Sequence, residues 1–365
     1  MALRFTPFTA TGRIVLRQSK FWIGSLLVAG LVCSSPAEAA QARRASAKRA
    51  SATVSARKRP AVVAASRTST RQRSAIARAV ATAREMADTV TPRYKVDASG
   101  DLVPDLRAAA AIIYNPETNQ VLWEENSQDQ RSIASITKVM TATVFLENNP
   151  DLTQRVQVVR SDVYQASTTK LRLNDRLTTD DLLHLLLIAS DNAAARALAR
   201  VSPYGTDGFI RRMNEKAAEL GLQSTHYADP SGLLSDNVSS AYDMARLITH
   251  ASQDERISAI MRTQEYLVHA EKRDILFHST NHLLGRQDLE VRAGKTGFIS
   301  KAGYCLATLL RLPQGGQEVA VVVLGARSNA ARFMETRNLF NWLSAKATTV
   351  FATTRPPLGL TNQQQ

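Results

Sequence analysis

Apolar residues run without a break from Ala108 to Tyr114, a strand-like stretch. Asn115–Asn119 then reads as a turn and Gln120–Glu124 as a second strand, together a hairpin. From Ser132 to Glu147 the apolar positions recur at helical spacing, and Asn148-Asn149-Pro150 stops the pattern. Thr178-Thr179-Asp180-Asp181 supplies an N-cap and an acidic first turn for a helix through Ala189. Further helices are predicted over Ala193–Val201, over Gly208–Leu220 with Gly221 at its C-cap, and over Ala241–Ala251. Late in the chain the period changes. Glu290–Ile299, Ala302–Leu312 and Glu318–Leu324 read as strands and Asn329–Ala347 as a closing helix. Strands at both ends with helices between them predict an α+β (mixed α/β) fold. Its antiparallel sheet is completed by both termini and flanked by helices, and the middle helices form a second lobe. No internal repeat is visible.

The N-terminal quarter has a different pattern. Residues 21–33 are apolar and uncharged, follow a basic stretch and precede Pro36-Ala37-Glu38-Ala39-Ala40. That is the layout of a signal peptide over residues 1–39, cut after Ala39, and it predicts export to the periplasm. The apolar run is too short to span about 30 Å of hydrocarbon. Val32 stands before Cys33 where a lipoprotein signal needs a small residue, so lipidation is not expected. Cleavage would leave Cys305 as the one cysteine and no intramolecular disulfide.

Of the 46 basic residues in the 365-residue chain, 14 lie between Gln41 and Lys95, against Glu85 and Asp88. The net charge of +14 therefore describes an arm, and the body is near neutral. Residues 41–93 hold no aromatic residue and cannot bury enough apolar surface to offset their ordering entropy. The expected organisation is a basic linker over 40–98, one folded domain over 99–351 and a loose tail over 352–365. The arm could be attracted to anionic envelope polymers or lipid head groups. An exported chain with a neutral body is not expected to bind nucleic acid.

Three short motifs carry candidate chemistry. Ser135 and Lys138 stand three apart at the start of a predicted helix, on one face. A serine hydroxyl needs an adjacent base to attack. A lysine can serve if burial or a second cation keeps it neutral. Ser190-Asp191-Asn192 lies between two predicted helices, where a hydroxyl could relay a proton and an amide hold a peptide, or where all three could simply cap a helix. Lys295-Thr296-Gly297, followed by Phe298, lies within a predicted strand. Its lysine and threonine could bind a carboxylate and its glycine admit a ligand to the backbone. His278 and His282 stand four apart without a helix to align them, and neither a metal nor a cofactor is expected.

In this order the three motifs match the signature of serine β-lactamases and penicillin-binding proteins. Ile133–Ala142, Asp229–Leu233 and Ser239–Ala245 resemble the D-alanyl-D-alanine carboxypeptidase/endopeptidase family of low-molecular-mass penicillin-binding proteins. The resemblance covers roughly 105–345. Lys295–Phe298 with Ala302–Leu306 is most similar to the endopeptidase branch, which lacks a C-terminal β domain and anchor helix. The resemblance implies a β-lactamase/DD-peptidase-like fold and a serine acyl-enzyme acting on peptidoglycan peptide stems and trapped by β-lactam antibiotics. It implies Ser135 as nucleophile, Lys138 as base with Lys295 as the nearby cation, and Ser190 as proton relay. It implies Asn192, Lys295, Thr296 and Gly297 as substrate-binding, and the backbone N–H groups of Ser135 and Phe298 as the oxyanion hole. Asp229-Pro230 falls where class A β-lactamases carry a catalytic glutamate, which argues against a β-lactamase. Endopeptidase and carboxypeptidase action both remain open, as does a non-catalytic wall-binding module.

Overall fold

A computed structural model describes residues 76–77, 79–80, 83 and 91–353, except Lys272, Gln314 and Gly315. The proposed signal peptide and most of the basic arm lie outside the described residues. A strand pair, β1 (Tyr94–Val96) and β2 (Leu102–Pro104), precedes the hairpin β3 (Ala110–Asn115) and β4 (Gln120–Glu125). Strand β1 thus falls inside the segment assigned to the linker. Strands β11 (Glu290–Ile299), β12 (Gly303–Arg311) and β13 (Glu318–Ala326) join the hairpin in one antiparallel sheet, ordered β11-β12-β13-β3-β4. Both ends of the fold therefore build one sheet, as the pattern predicted.

The sheet is covered on both faces, which explains its unbroken apolar runs. Side chains alternate across a strand. Ile112, Val322 and Leu324 accordingly join a core with the helical lobe, while Ile113, Val321 and Val323 join a second core. That second core includes Leu339 and Phe340 of the closing helix Asn329–Thr353. The closing helix runs past the Ala347 end predicted for it.

The helical lobe holds α1 (Thr137–Leu146), α2 (Arg160–Val163), α3 (Thr179–Leu187), α4 (Asn192–Val201), α5 (Gly205–Glu219), α6 (Ala241–Ser252) and α7 (Glu255–Arg262), with the closing helix as α8. Helix α1 is buried on nearly every side. The cap expected at Thr178 is present: its hydroxyl accepts from Asp181 N at 3.0 Å, and Asp181 accepts from Thr178 N at 2.9 Å. Leu182, Leu183, Leu185 and Leu186 of α3 are fully buried. Short pieces lie between the expected elements: β6 (Arg155–Gln157) with β7 (Arg176–Thr178), and the hairpin β9 (Glu265–Ala270) with β10 (Arg273–His278).

The continuous helix expected over Ser132–Glu147 is broken at its start. Arg131–Ser132 forms strand β5, paired with Val238–Ser239 (β8), and Ala134–Ile136 is a 3-10 turn before α1. Ala134 has φ +49°, a left-handed conformation that costs energy for any residue with a Cβ. Neighbours impose it. Ile133 N donates to Asn237 O at 3.1 Å. Gly232 (φ +77°) packs so closely that a Cβ there would lie 2.0 Å from Ala134 O and 2.9 Å from Thr137 Oγ1. Only glycine fits that contact and that φ. Gly232→Ala is expected to destabilise the fold by more than about 2 kcal/mol, strain and overpacking together. Urea unfolding followed by tryptophan fluorescence measures it, and an unchanged midpoint would contradict this reading of the contact.

Candidate active site

The 3-10 turn presents Ser135, which is half-buried, and the first turn of α1 presents Lys138, which is wholly buried. Lys138 Nζ lies 2.9 Å from Ser135 Oγ. It also donates to Asn192 Oδ1 at 2.7 Å and to the carbonyl of Ser231 at 2.5 Å. One amine thus joins the 3-10 turn, the start of α4 and the loop 229–237.

The loop is held firmly. The Asp229 carboxylate accepts from Ser231 N (3.0 Å), Gly232 N (3.1 Å) and Asn237 Nδ2 (2.5 Å), and the Ser231 hydroxyl also donates to it. Thr141 Oγ1 donates to Pro230 O at 2.6 Å. The carbonyl facing Lys138 is therefore fixed from several sides.

Ser190-Asp191-Asn192 divides its work. Ser190 sits at φ +59°. Asp191 is the N-cap of α4 and accepts from Ala194 N at 3.0 Å. The capping reading of this tripeptide is thus true for its middle residue. Asn192 orients its amide through Nδ2, which donates to Ala166 O at 2.7 Å, leaving Oδ1 for Lys138.

Strand β11 forms the facing wall. Lys295 is 1% exposed and its Nζ donates to Ser190 Oγ at 2.8 Å and to Thr296 O at 3.0 Å. Thr296 Oγ1 lies 2.6 Å from Thr280 Oγ1. Thr280 N in turn donates to Ile188 O at 3.0 Å, tying the strand to the turn that carries Ser190. A Cβ on Gly297 would fall 2.7 Å from Ile133 O and 3.1 Å from Ser135 N. Glycine here brings the strand against the turn of Ser135. Phe298 is 49% exposed and stacks on Tyr304 with centroids 4.2 Å apart. All the residues singled out in the three motifs, Ser135, Lys138, Ser190, Asn192, Lys295, Thr296 and Gly297, meet at this junction of sheet and helical lobe.

Burial lowers the Lys138 pKa to about 7, against the pull of the carboxylates of Asp229 and Asp191; the Arg196 charge adds to the lowering. Burial first, then the charges of Lys138 and Arg332, depress Lys295 well below the usual lysine range. The cation expected to keep Lys138 neutral was Lys295. Desolvation does most of that work instead, and the cation that adds to it is Arg196. Burial raises the carboxyl of Asp191.

Some participants are given no role by the sequence. Ser231 acts through a backbone carbonyl, which no residue type announces. Arg332 is 6% exposed and its Nη1 donates to Gly297 O at 3.0 Å and to Cys305 O at 3.3 Å, bracing the edge of β11 from α8. Cys305 itself is a buried thiol, as expected. His278 and His282 do not meet: His278 pairs with Glu265 at 3.0 Å and His282 stacks on Phe333.

A family profile described as D-alanyl-D-alanine carboxypeptidase matches residues 97–328. The chain is 33% identical over 247 residues to the D-alanyl-D-alanine endopeptidase of Escherichia coli (strain K12), covering 66% of this chain and 78% of that one. It is 30% identical over 232 residues to the D-alanyl-D-alanine carboxypeptidase DacF of Bacillus subtilis (strain 168), covering 62% and 59%. Among solved structures, the Streptomyces K15 DD-transpeptidase is similar with TM-score 0.62 and 28% identity, covering 66% of this chain and 98% of that one.

With 13Cε-labelled lysine, one NMR resonance is expected to titrate with a midpoint near 7. It should vanish in Lys138→Met. Absence of any lysine titrating between pH 6 and 8 would overturn the account of Lys138 burial.

Proposed function

The chain belongs to the D-alanyl-D-alanine carboxypeptidase family of serine peptidases, and we propose that within it the protein is an exported peptidoglycan endopeptidase that cleaves D-alanyl cross-links through a serine acyl-enzyme. The observation that carries the chemistry is the 2.9 Å contact between Ser135 Oγ and a buried Lys138 amine. Relatives called endopeptidases, at 32–33% identity, support cross-link cleavage.

Ser135 Oγ attacks the carbonyl carbon of the penultimate D-alanine. Lys138, neutral above about pH 7, takes the hydroxyl proton. The carbonyl oxygen becomes an oxyanion, which the backbone N–H groups of Ser135 and Phe298 stabilise. Collapse of the tetrahedral intermediate breaks the C–N bond, and the proton passes through the Ser190 hydroxyl to the leaving amine. Asn192 holds the peptide, Lys295 and Thr296 hold its carboxylate, and Gly297 lets the substrate backbone approach β11. Water then adds to the ester carbonyl and frees Ser135. A β-lactam follows the same first step and stays attached where deacylation is slow. No catalytic step calls for a metal.

Export to the periplasm is inferred from the apolar run and Ala-rich cleavage pattern before Gln41. The basic segment 41–93 would then meet anionic envelope polymers or lipid head groups. No helix among the described residues is long and apolar enough to cross a membrane.

A second reading, removal of terminal D-alanine, is favoured by the carboxypeptidase relatives and uses the same site. Mass spectrometry of muropeptides incubated with the mature protein separates the two. Cross-linked dimers falling to monomers are expected, with no change in Ser135→Ala; loss of one alanine from pentapeptides would instead make the protein a carboxypeptidase. The acylation rate by penicillin should rise about tenfold per pH unit below 7 and level off above it, as Lys138 loses its proton. A rate flat from pH 5 to 9 would remove Lys138 as the base.

A further inference from the structure

Helix α4 carries Asn192, Arg196 and Arg200 at a spacing of four, on one face. Asn192 bonds Lys138. Arg196 and Arg200 line a cavity of about 250 Å³ whose other wall includes Pro230, Leu233 and Leu234. Two of the three elements that bond Lys138, helix α4 and the loop 229–237, are therefore also walls of this cavity. The positive charge of Arg196 is near enough to Lys138 to lower its pKa.

The charged groups in the lining are not equivalent. Asp162 is fully engaged: it accepts from Arg200 Nε at 3.0 Å and Nη2 at 2.8 Å, and from Val159 N at 2.9 Å. Asp229 holds its own loop together, as described above. Arg196 donates through Nη1 alone, to Tyr164 O at 2.6 Å and Asp162 O at 3.5 Å. Among the described residues its guanidinium has no carboxylate partner, and its Nε and Nη2 make no hydrogen bond. Those two nitrogens form one edge of the guanidinium plane, the edge that binds a carboxylate with two parallel bonds.

The other wall is apolar: Leu234, 51% exposed, stands beside Leu233 and the buried Pro230. Whole small ligands occupy sites of about 300–1,000 Å³, so this cavity suits one side chain rather than an entire ligand.

We infer that the cavity is a subsite for a side-chain carboxylate of the peptide stem, bound by Arg196 and flanked by Leu233 and Leu234, and that it selects stems carrying the free acid over stems in which that acid is amidated. The inference rests on the proposed reaction at Ser135 only for the identity of the peptide. The subsite binds and does not take part in bond breaking.

The test uses the full chain carrying Ser135→Ala, with calorimetric binding of two D-alanyl-D-alanine stem peptides that differ only in a side-chain carboxylate or its primary amide. The free acid is expected to bind about tenfold more tightly, the worth of one charge-assisted hydrogen-bonded contact. Adding Arg196→Gln should abolish the preference, and Arg196→Lys, which keeps charge but not the paired geometry, should restore part of it. Equal affinity for the two peptides, or a preference that survives Arg196→Gln in a chain with an unchanged thermal midpoint, overturns the inference. Repeating the pair with cross-linked peptides tells whether the carboxylate belongs to the donor or the acceptor stem. Turnover by the chain with Ser135 intact is read separately on the cross-linked pair: cleavage of both without a binding preference removes the subsite and leaves the endopeptidase. A preference without cleavage removes the proposed reaction and leaves the subsite.

Discussion

The desolvated amine of Lys138 is the constraint on which the rest of the arrangement turns. A buried ammonium left without partners is costly, and its simplest escape is to lose the proton. This site supplies acceptors from three separate segments: Ser135 Oγ, Asn192 Oδ1 and Ser231 O. Each acceptor is fixed by something else: the 3-10 turn, the Ala166 carbonyl that aims the Asn192 amide, and the Asp229 carboxylate that gathers the loop. The three neutral partners place the amine but do not keep it fully charged, since burial outweighs the carboxylates of Asp229 and Asp191. A serine beside a lysine on an exposed helix would have the same spacing and none of this chemistry.

Close backbone approach is the means by which sheet and helical lobe are brought to the same point. Gly232 lets the loop 229–237 press on Ala134, and Gly297 lets β11 press on Ile133 and Ser135. The left-handed φ of Ala134 is the local cost of this double contact, offset by hydrogen bonds such as Ile133 N to Asn237 O. Arg332 holds β11 from the other side, through the carbonyls of Gly297 and Cys305. Strand position, turn geometry and the exposure of Ser135 are thus one coupled feature, and a methyl group at either glycine would disturb all three.

Much of this was legible in the chain. The sheet strands were, because helices cover both faces and leave long apolar runs such as Val319–Leu324. Ser135, Lys138, Asn192 and Lys295 were, because their chemistry lies in side chains at fixed spacings. The short pieces were not. The β9–β10 hairpin buries only Val268, Ala270, Ile275 and Phe277, so it lacks the continuous apolar run that marks the central sheet strands. The break at Ala134 was hidden because alanine has no preference for positive φ; tertiary contacts impose it. Ser231 meets Lys138 and Asn237 meets Ile133 through backbone carbonyls, and Arg332 reaches Gly297 across 35 residues of chain, so none of the three contacts is visible before the topology is known.

The two buried lysines also set a direction for binding. Lys295 is depressed by burial, by Lys138 and by Arg332, and no carboxylate among the described residues offsets these effects. A carboxylate placed beside Lys295 would supply a counter-charge and oppose this lowering. Burial sets the direction at both amines, so the desolvation that lowers Lys138 beside Ser135 Oγ also makes the Lys295 wall of the site one that an anion would stabilise.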